Sequence, residues 1–189
     1  MQAVKAKPAV NTVNGVDVGA LVDTIAAIEG NPQIAKFNFR LSNRWHGGDK
    51  NRSVIKDFTG ALGEQRTDGK VFNLENGEHQ VLLGRDEAPN PVEFLLHALI
   101  GCMTTTTAYH SAARGITVEA IDSQIDGDLD LRGFLGLSPD VRKGYSAIRV
   151  SMRVKTKASA ATIKEITGMS PVLDVVSRSV PVAVQVETY

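Results

Sequence analysis

The sequence predicts an α+β fold with mostly antiparallel strand pairing, on three observations. Asn90 to Gly115 carries the start and stop signals of one long helix. Before it, apolar residues recur with a period of two over several short runs, and after it two longer runs do the same. Helical spacing otherwise returns only in short segments near the two ends. The resulting order is a meander of strands, a helix, two long strands, a helix and a strand, which groups elements as antiparallel α+β proteins do.

In chain order, residues 1–15 read as a loose tail. Val18, Leu21, Val22, Ile25 and Ile28 follow at helical spacing, and Gly30 with Pro32 closes a helix over about 17–29, read as a packing arm. From Ile34 the period changes. Ile34, Phe37, Phe39, Leu41 and Trp45 alternate with Lys36, Asn38, Arg40 and Asn43, as in a half-buried strand. HGGDKN is a turn, and SVIKDFTGAL, KVFNLE and HQVLLG are short strands, the last two joined by a hairpin at Asn76-Gly77. The domain boundary falls here: 1–33 is a tail with a helical extension, and 34–189 is the main domain.

The long helix has Asn90 as N-cap, Pro91 at its first position and Glu93 where a capping-box acid sits. Gly115 is its left-handed stop. These ends enclose about 24 residues, or roughly 36 Å. Leu95, Leu99, Cys102 and Thr106 form one stripe, and Leu96, Ile100, Met103 and Thr107 the next. Apolar residues on most of the circumference predict a central, buried helix. ITVEAIDSQIDGDLDL and GYSAIRVSMRVKTK are the two long strands. Ala158 to Thr167 is a second helix stopped by Gly168, Ser170 caps a further turn or two, and VPVAVQVET is a closing strand.

The 189 residues hold 21 Lys and Arg against 21 Asp and Glu, so nothing in the charge points to nucleic acid or an anionic membrane as partner. A single cysteine excludes an internal disulfide and a cysteine zinc cluster. The first ten residues lack an apolar signal-peptide core, so the expected compartment is the reducing cytoplasm.

Several motifs fail on spacing. Asp126, Asp128 and Asp130 begin like a calcium loop, but Leu131 and Leu137 occupy its sixth and twelfth places. His97 and His110 point about 220° apart around the long helix, and His46 and His79 complete no ligand pair. Phosphate-binding, dinucleotide-binding and GxSxG signatures are absent. No metal or cofactor is expected. Cys102 remains: a small buried hydrophobe, or a nucleophile. Three turns into the helix it gains nothing from the dipole, so a reactive thiolate there needs a nearby cation.

At APNPVEFLLHALIGCMTTTTAYHSAARGI the chain resembles the OsmC/Ohr family, the osmotically inducible protein C and organic hydroperoxide resistance proteins. The resemblance extends over roughly Ile34 to Glu187. It includes Gly47-Gly48 after the first strand, the Pro-x-Glu helix start, the helix-borne cysteine, and Ser-Pro-Val from Ser170. The DLDLRGFLGL stretch and the helical extension point to a longer OsmC-like subgroup. The resemblance implies two antiparallel sheets wrapped around long central helices in an intertwined homodimer, with 34–189 as the OsmC-like domain. It also implies a cysteine thiolate that attacks a peroxide, a second cysteine that resolves the sulfenic acid, and an arginine and a glutamate that organise the thiolate. Cys102 matches the reactive cysteine. Ser170 stands at the resolving position, and Val92 at the glutamate position with Glu93 one place off. Asp49 follows the Gly-Gly pair where the family has arginine, leaving Arg52, or less directly Arg44, as the cation.

Three functional readings follow. The first is a one-cysteine, thiol-dependent reductase of organic hydroperoxides, with Cys102 and Arg52 as catalytic residues and an external thiol as reductant. The second is a dimer that binds a small apolar ligand at its interface, with Leu95, Leu99 and Met103 as lining and Phe94 nearby. The third is a stable dimer whose site has lost its chemistry.

Overall fold

The computed structural model describes residues 11–188 and divides them into two compact units. Of these, one holds residues 11–12 and 17–95, the other 13–16 with 96–188. Two short strands, β1 (Thr12–Val13) and β2 (Val16–Asp17), precede the first helix.

The first unit opens with helix α1 (Val18–Gly30), where Asp17 caps the N-terminus by accepting from the Ala20 amide at 3.0 Å. No residue of α1 is buried. Two three-stranded antiparallel sheets follow. One orders β3 (Asn38–Phe39), β6 (Phe58–Gly60) and β7 (Gly63–Gln65); the other orders β4 (Ser42–Trp45), β5 (Asn51–Ile55) and β8 (Phe72–Asn76), each in sequence as neighbours. The single strand expected over Ile34 to Trp45 is thus broken. Pro32–Ala35 is a 3-10 turn, β3 pairs with β6, and β4 pairs with β5. Arg40 stands at the break. Its guanidinium bonds to Asp57 and Glu64 and donates to the Thr59 hydroxyl at 3.1 Å, holding the chain where it passes from one sheet to the other. Phe37 stacks on both Phe39 and Phe58, which meet each other tilted at 5.0 Å, and Phe39 is largely exposed.

The hairpin expected at Asn76-Gly77 does not form. The Gly77 amide donates to the Pro89 carbonyl, and Gln80–Leu82 is a 3-10 turn where a strand was expected. The reason is the Asp49 carboxylate, which accepts from the backbone amides of Glu78 and Arg85 at 3.2 and 3.4 Å and draws the segment into a compact loop. A Cβ at Gly84 would overlap the Glu78 backbone, so the loop also needs a glycine there.

Helix α2 (Pro91–Ala113) starts and stops where its caps predict. The Asn90 side chain accepts from the Glu93 amide and the Glu93 carboxylate accepts from the Asn90 amide, both at 2.9 Å, a reciprocal capping box. At the far end Gly115 is left-handed, and the Ile116 amide reaches back to the Ser111 carbonyl at 2.8 Å. Asn14 secures the same end: its side chain donates to the Ile116 carbonyl and accepts from the Val118 amide.

Elsewhere in the second unit, strands β9 (Val118–Asp128) and β10 (Ala147–Thr156) pair antiparallel from Ala147 opposite Asp128 to Val154 opposite Ile121, with a bulge at Lys155/Thr156. A short helix the sequence reading missed, α3 (Leu131–Phe134), is capped by Asp130 in the connection. Helices α4 (Ala160–Thr167) and α5 (Pro171–Ser177) follow, capped by Ser159 and Ser170. Helix α4 meets α2 through Thr107 and Thr167, and β10 and α5 share a cavity wall with Met103. The core joins Leu99, Met103, Thr107, Ser111 and Ala112 of α2 to Ile163, Ile166 and Thr167 of α4. The Thr107 and Thr167 hydroxyls meet at 2.8 Å and satisfy one another, whereas the buried Ser111 hydroxyl meets no partner among the described residues.

Two further expectations are corrected. α2 is not buried all round: His97, Gly101, Thr105 and Tyr109 are exposed, because within this chain the covering elements lie on one side only. The closing strand is absent. Residues 179–188 form no strand, and Val180, Val182, Val184 and Val186 are 53, 79, 77 and 81% exposed. Alternation alone does not make a strand; a free sheet edge must lie beside it.

The reciprocal cap gives a direct test. Asn90→Ala is expected to lower stability by about 1 kcal/mol, read from urea unfolding followed by circular dichroism.

Candidate functional site

Cys102 lies three turns into α2, flanked along the helix by buried Leu99 and Thr106. Its thiol is free and half-buried. It is therefore neither sealed in the core nor fully in solvent. A mid-helix position offers no help from the dipole.

Ser170, at the position of the resolving thiol, is fully buried, and its hydroxyl accepts from the Leu173 amide at 3.3 Å as the cap of α5. The site thus has one sulfur, and the residue in the second place has a structural duty. Val92 occupies the place of the expected glutamate, and Glu93 is held in the capping box.

In the first unit Arg52 sits mid-strand on β5, directly opposite Glu75 of β8 and Arg44 of β4. Its Nε donates to the Glu75 carboxylate at 2.5 Å, and both side chains are about half exposed. Glu75 is a residue that reading the sequence missed. Only the register of β5 against β8 shows that Arg52 has a fixed carboxylate partner, as cross-strand neighbours do. Arg44 has no ion pair among the described residues, so the row Arg44–Arg52–Glu75 keeps a net positive charge.

The residue after the Gly-Gly turn has become part of an acidic group. Backbone amide donation, first from Glu78, holds the Asp49 carboxyl below its ordinary range. Burial, reinforced by the Asp49 and Glu93 carboxylates, pushes the Glu78 carboxyl up. Among the described residues no cluster of His, Cys, Asp or Glu is disposed to hold a metal ion, and no helix is long and apolar enough to cross a membrane.

The three apolar residues expected to line a ligand site part company. Leu99 is core, 1% exposed; Leu95 is 40% exposed; Met103 is buried and lines a cavity of about 560 Å³ in the second unit. The rest of that lining comes from β10, α4, α5 and the residues Ala158 and Gly168 that flank α4, and Cys102 does not take part in it.

The OsmC-like protein family model matches residues 84–185, a span that holds α2, its cysteine, the β9–β10 pair and the last two helices. The chain belongs to the OsmC-like protein family. Among solved structures, this OsmC-family chain is similar to an OsmC-like protein from Mycoplasma pneumoniae, with a TM-score of 0.55, 14% identity, and 75% of this chain and 89% of that one covered. It is also similar to a protein from Psychrobacter arcticus 273-4 described as an osmotic stress induced and detoxification response protein, with a TM-score of 0.51, 12% identity, and 70% and 83% covered. At such identities the likeness concerns the fold. No curated protein matches the chain. The OsmC-like assignment accords with the α+β architecture of several helices and antiparallel sheets.

The acidic group yields a pH-dependent test. A carboxyl whose folded pKa is raised costs stability while it is ionised, above that pKa, and costs nothing below its unfolded value. Glu78→Gln is therefore expected to raise Tm at pH 7. The gain should vanish as the pH falls below about 4.3, the ordinary glutamate value, in melting curves taken across that range.

Proposed function

We propose that this OsmC-family protein reduces organic hydroperoxides as a homodimer, with Cys102 as its single reactive thiol and an external thiol as reductant. The observation that carries the reading is the free, half-buried thiol of Cys102 on α2, inside the span matched by the family. The Cys102 thiolate attacks one peroxide oxygen, and the O–O bond breaks. The departing alkoxide takes a proton and leaves as an alcohol, and Cys102 becomes a sulfenic acid. One external thiol then forms a mixed disulfide and releases water; a second restores the Cys102 thiol and leaves as a disulfide. Ser170 offers no resolving sulfur, so the external thiols are required. In this reading Arg52 supplies the cation that favours the thiolate and polarises the O–O bond, and Glu75 is a positioning residue that fixes its guanidinium.

The proposed assembly is an intertwined homodimer of the 34–189 domain, with 1–33 as its extension, working in the cytoplasm. Its support is apolar surface that the chain leaves open. Phe39, Leu41 and Trp45 are exposed in the first unit, as are the valines of 179–188 in the second. Exposed apolar area on this scale marks an association surface. The parity of the last segment fits a sheet edge. Val180, Val182, Val184 and Val186 share one pairing direction, which leaves Pro181, without an amide proton, facing away from the ladder.

A second reading, a non-catalytic dimer that binds a small apolar ligand at its interface, draws support from the exposed Leu95 and from Met103 at the cavity.

Mass spectrometry after one equivalent of cumene hydroperoxide is expected to show one oxygen added to Cys102, and an excess of small thiol should reverse it. Unmodified Cys102 in folded protein would overturn the reductase reading. Deletion of 180–189 is expected to convert the dimer to monomer or aggregate in light scattering coupled to size-exclusion chromatography.

A further inference from the structure

We propose that the cavity beside β10 binds an amphipathic carboxylate, a molecule with an aliphatic or aromatic tail ending in one acid group. This site is separate from Cys102 and does not rest on the reductase reading. Its volume of about 560 Å³ lies within the range of small-molecule pockets. Met103, Val150, Met152, Val154, Ile163 and Leu173 give it an apolar wall. The two methionines add side chains that adapt to tails of different shape.

The polar part of the lining decides the head group. Lys164 is its only charged residue, lies exposed on α4, and has no ion pair among the described residues. The neighbouring carboxylate, Glu165, is engaged by Arg114 at 3.0 Å. No acidic residue lines the cavity, so nothing in the wall repels an anion. The lining hydroxyls are already committed as donors: Thr156 donates to the Thr117 carbonyl at 2.7 Å and Thr167 to the Ile163 carbonyl at 2.8 Å. The uncommitted side-chain donors are those of the Lys164 ammonium, which favours an ionised acceptor over a neutral one.

Calorimetric titration of the full-length protein with decanoic acid and with 1-decanol at pH 7 tests this. Decanoate is expected to bind at least about threefold tighter than decanol, the scale of a partly exposed ion pair. Lys164→Met should erase that preference and leave decanol affinity in place. Met152→Trp and Ala160→Leu, which fill the cavity from β10 and α4, should weaken both ligands. Cys102→Ser should leave decanoate affinity intact, which separates this site from the hydroperoxide chemistry. The proposal is overturned if the intact protein binds neither ligand, as when a second copy fills the cavity. Equal affinity for acid and alcohol, an unaltered preference in Lys164→Met, or full binding in both filled variants also overturns it. Where Met152→Trp fails to fold by circular dichroism, Ala160→Leu decides, because Ala160 is exposed at the first turn of α4.

Discussion

One flank of α2 is covered by its own chain and the other is not, and most of this structure follows from that asymmetry. Leu99, Met103, Thr107 and Ser111 face Ile163, Ile166 and Thr167 and form the core of the second unit. The hydroxyl pair Thr107–Thr167 lets four-carbon polar residues sit where Val or Leu would otherwise be required, without leaving donors stranded. The open flank carries residues of the same helix to solvent. Those residues are of mixed character, with His97, Gly101, Thr105 and Tyr109 along the exposed stripe.

Cys102 inherits its character from the same asymmetry. Its neighbours Leu99 and Thr106 lie on the buried side, yet the thiol keeps partial access to solvent. A helix interior supplies no electrostatic activation, so any acidity of the sulfur must come from a side chain on another element. Within the first unit Arg52 is fixed by Glu75, while Arg44 beside it leaves that row positive. The Gly-Gly turn has gone another way. Asp49 there anchors the loop from Glu78 to Arg85, which makes that corner acidic and structural.

The cavity of the second unit shows a different use of the same core. β10 turns Val150, Met152 and Val154 inward, and α4 and α5 stand off far enough to leave space between them. Met103 belongs to both the core and the cavity wall, which ties the ligand proposal to the packing of α2. Lys164 gives that apolar space a polarity it would otherwise lack.

By itself the sequence determined the limits of the long helix, the single cysteine and the family. Asn90, Glu93, Gly115 and Ser170 act on backbone groups within a few residues, so their effects are local and readable. The long alternation of β9 and β10 was equally plain, since a ten-residue ladder repeats one signal many times. Only the tertiary structure decided the rest. It broke the run from Ile34 to Trp45 at Arg40, folded HQVLLG around Asp49, paired Arg52 with Glu75, and left the valines of the last segment without a ladder. Each of those outcomes depends on a partner distant in the chain, and periodicity states which face a residue will present but not what will be there to meet it.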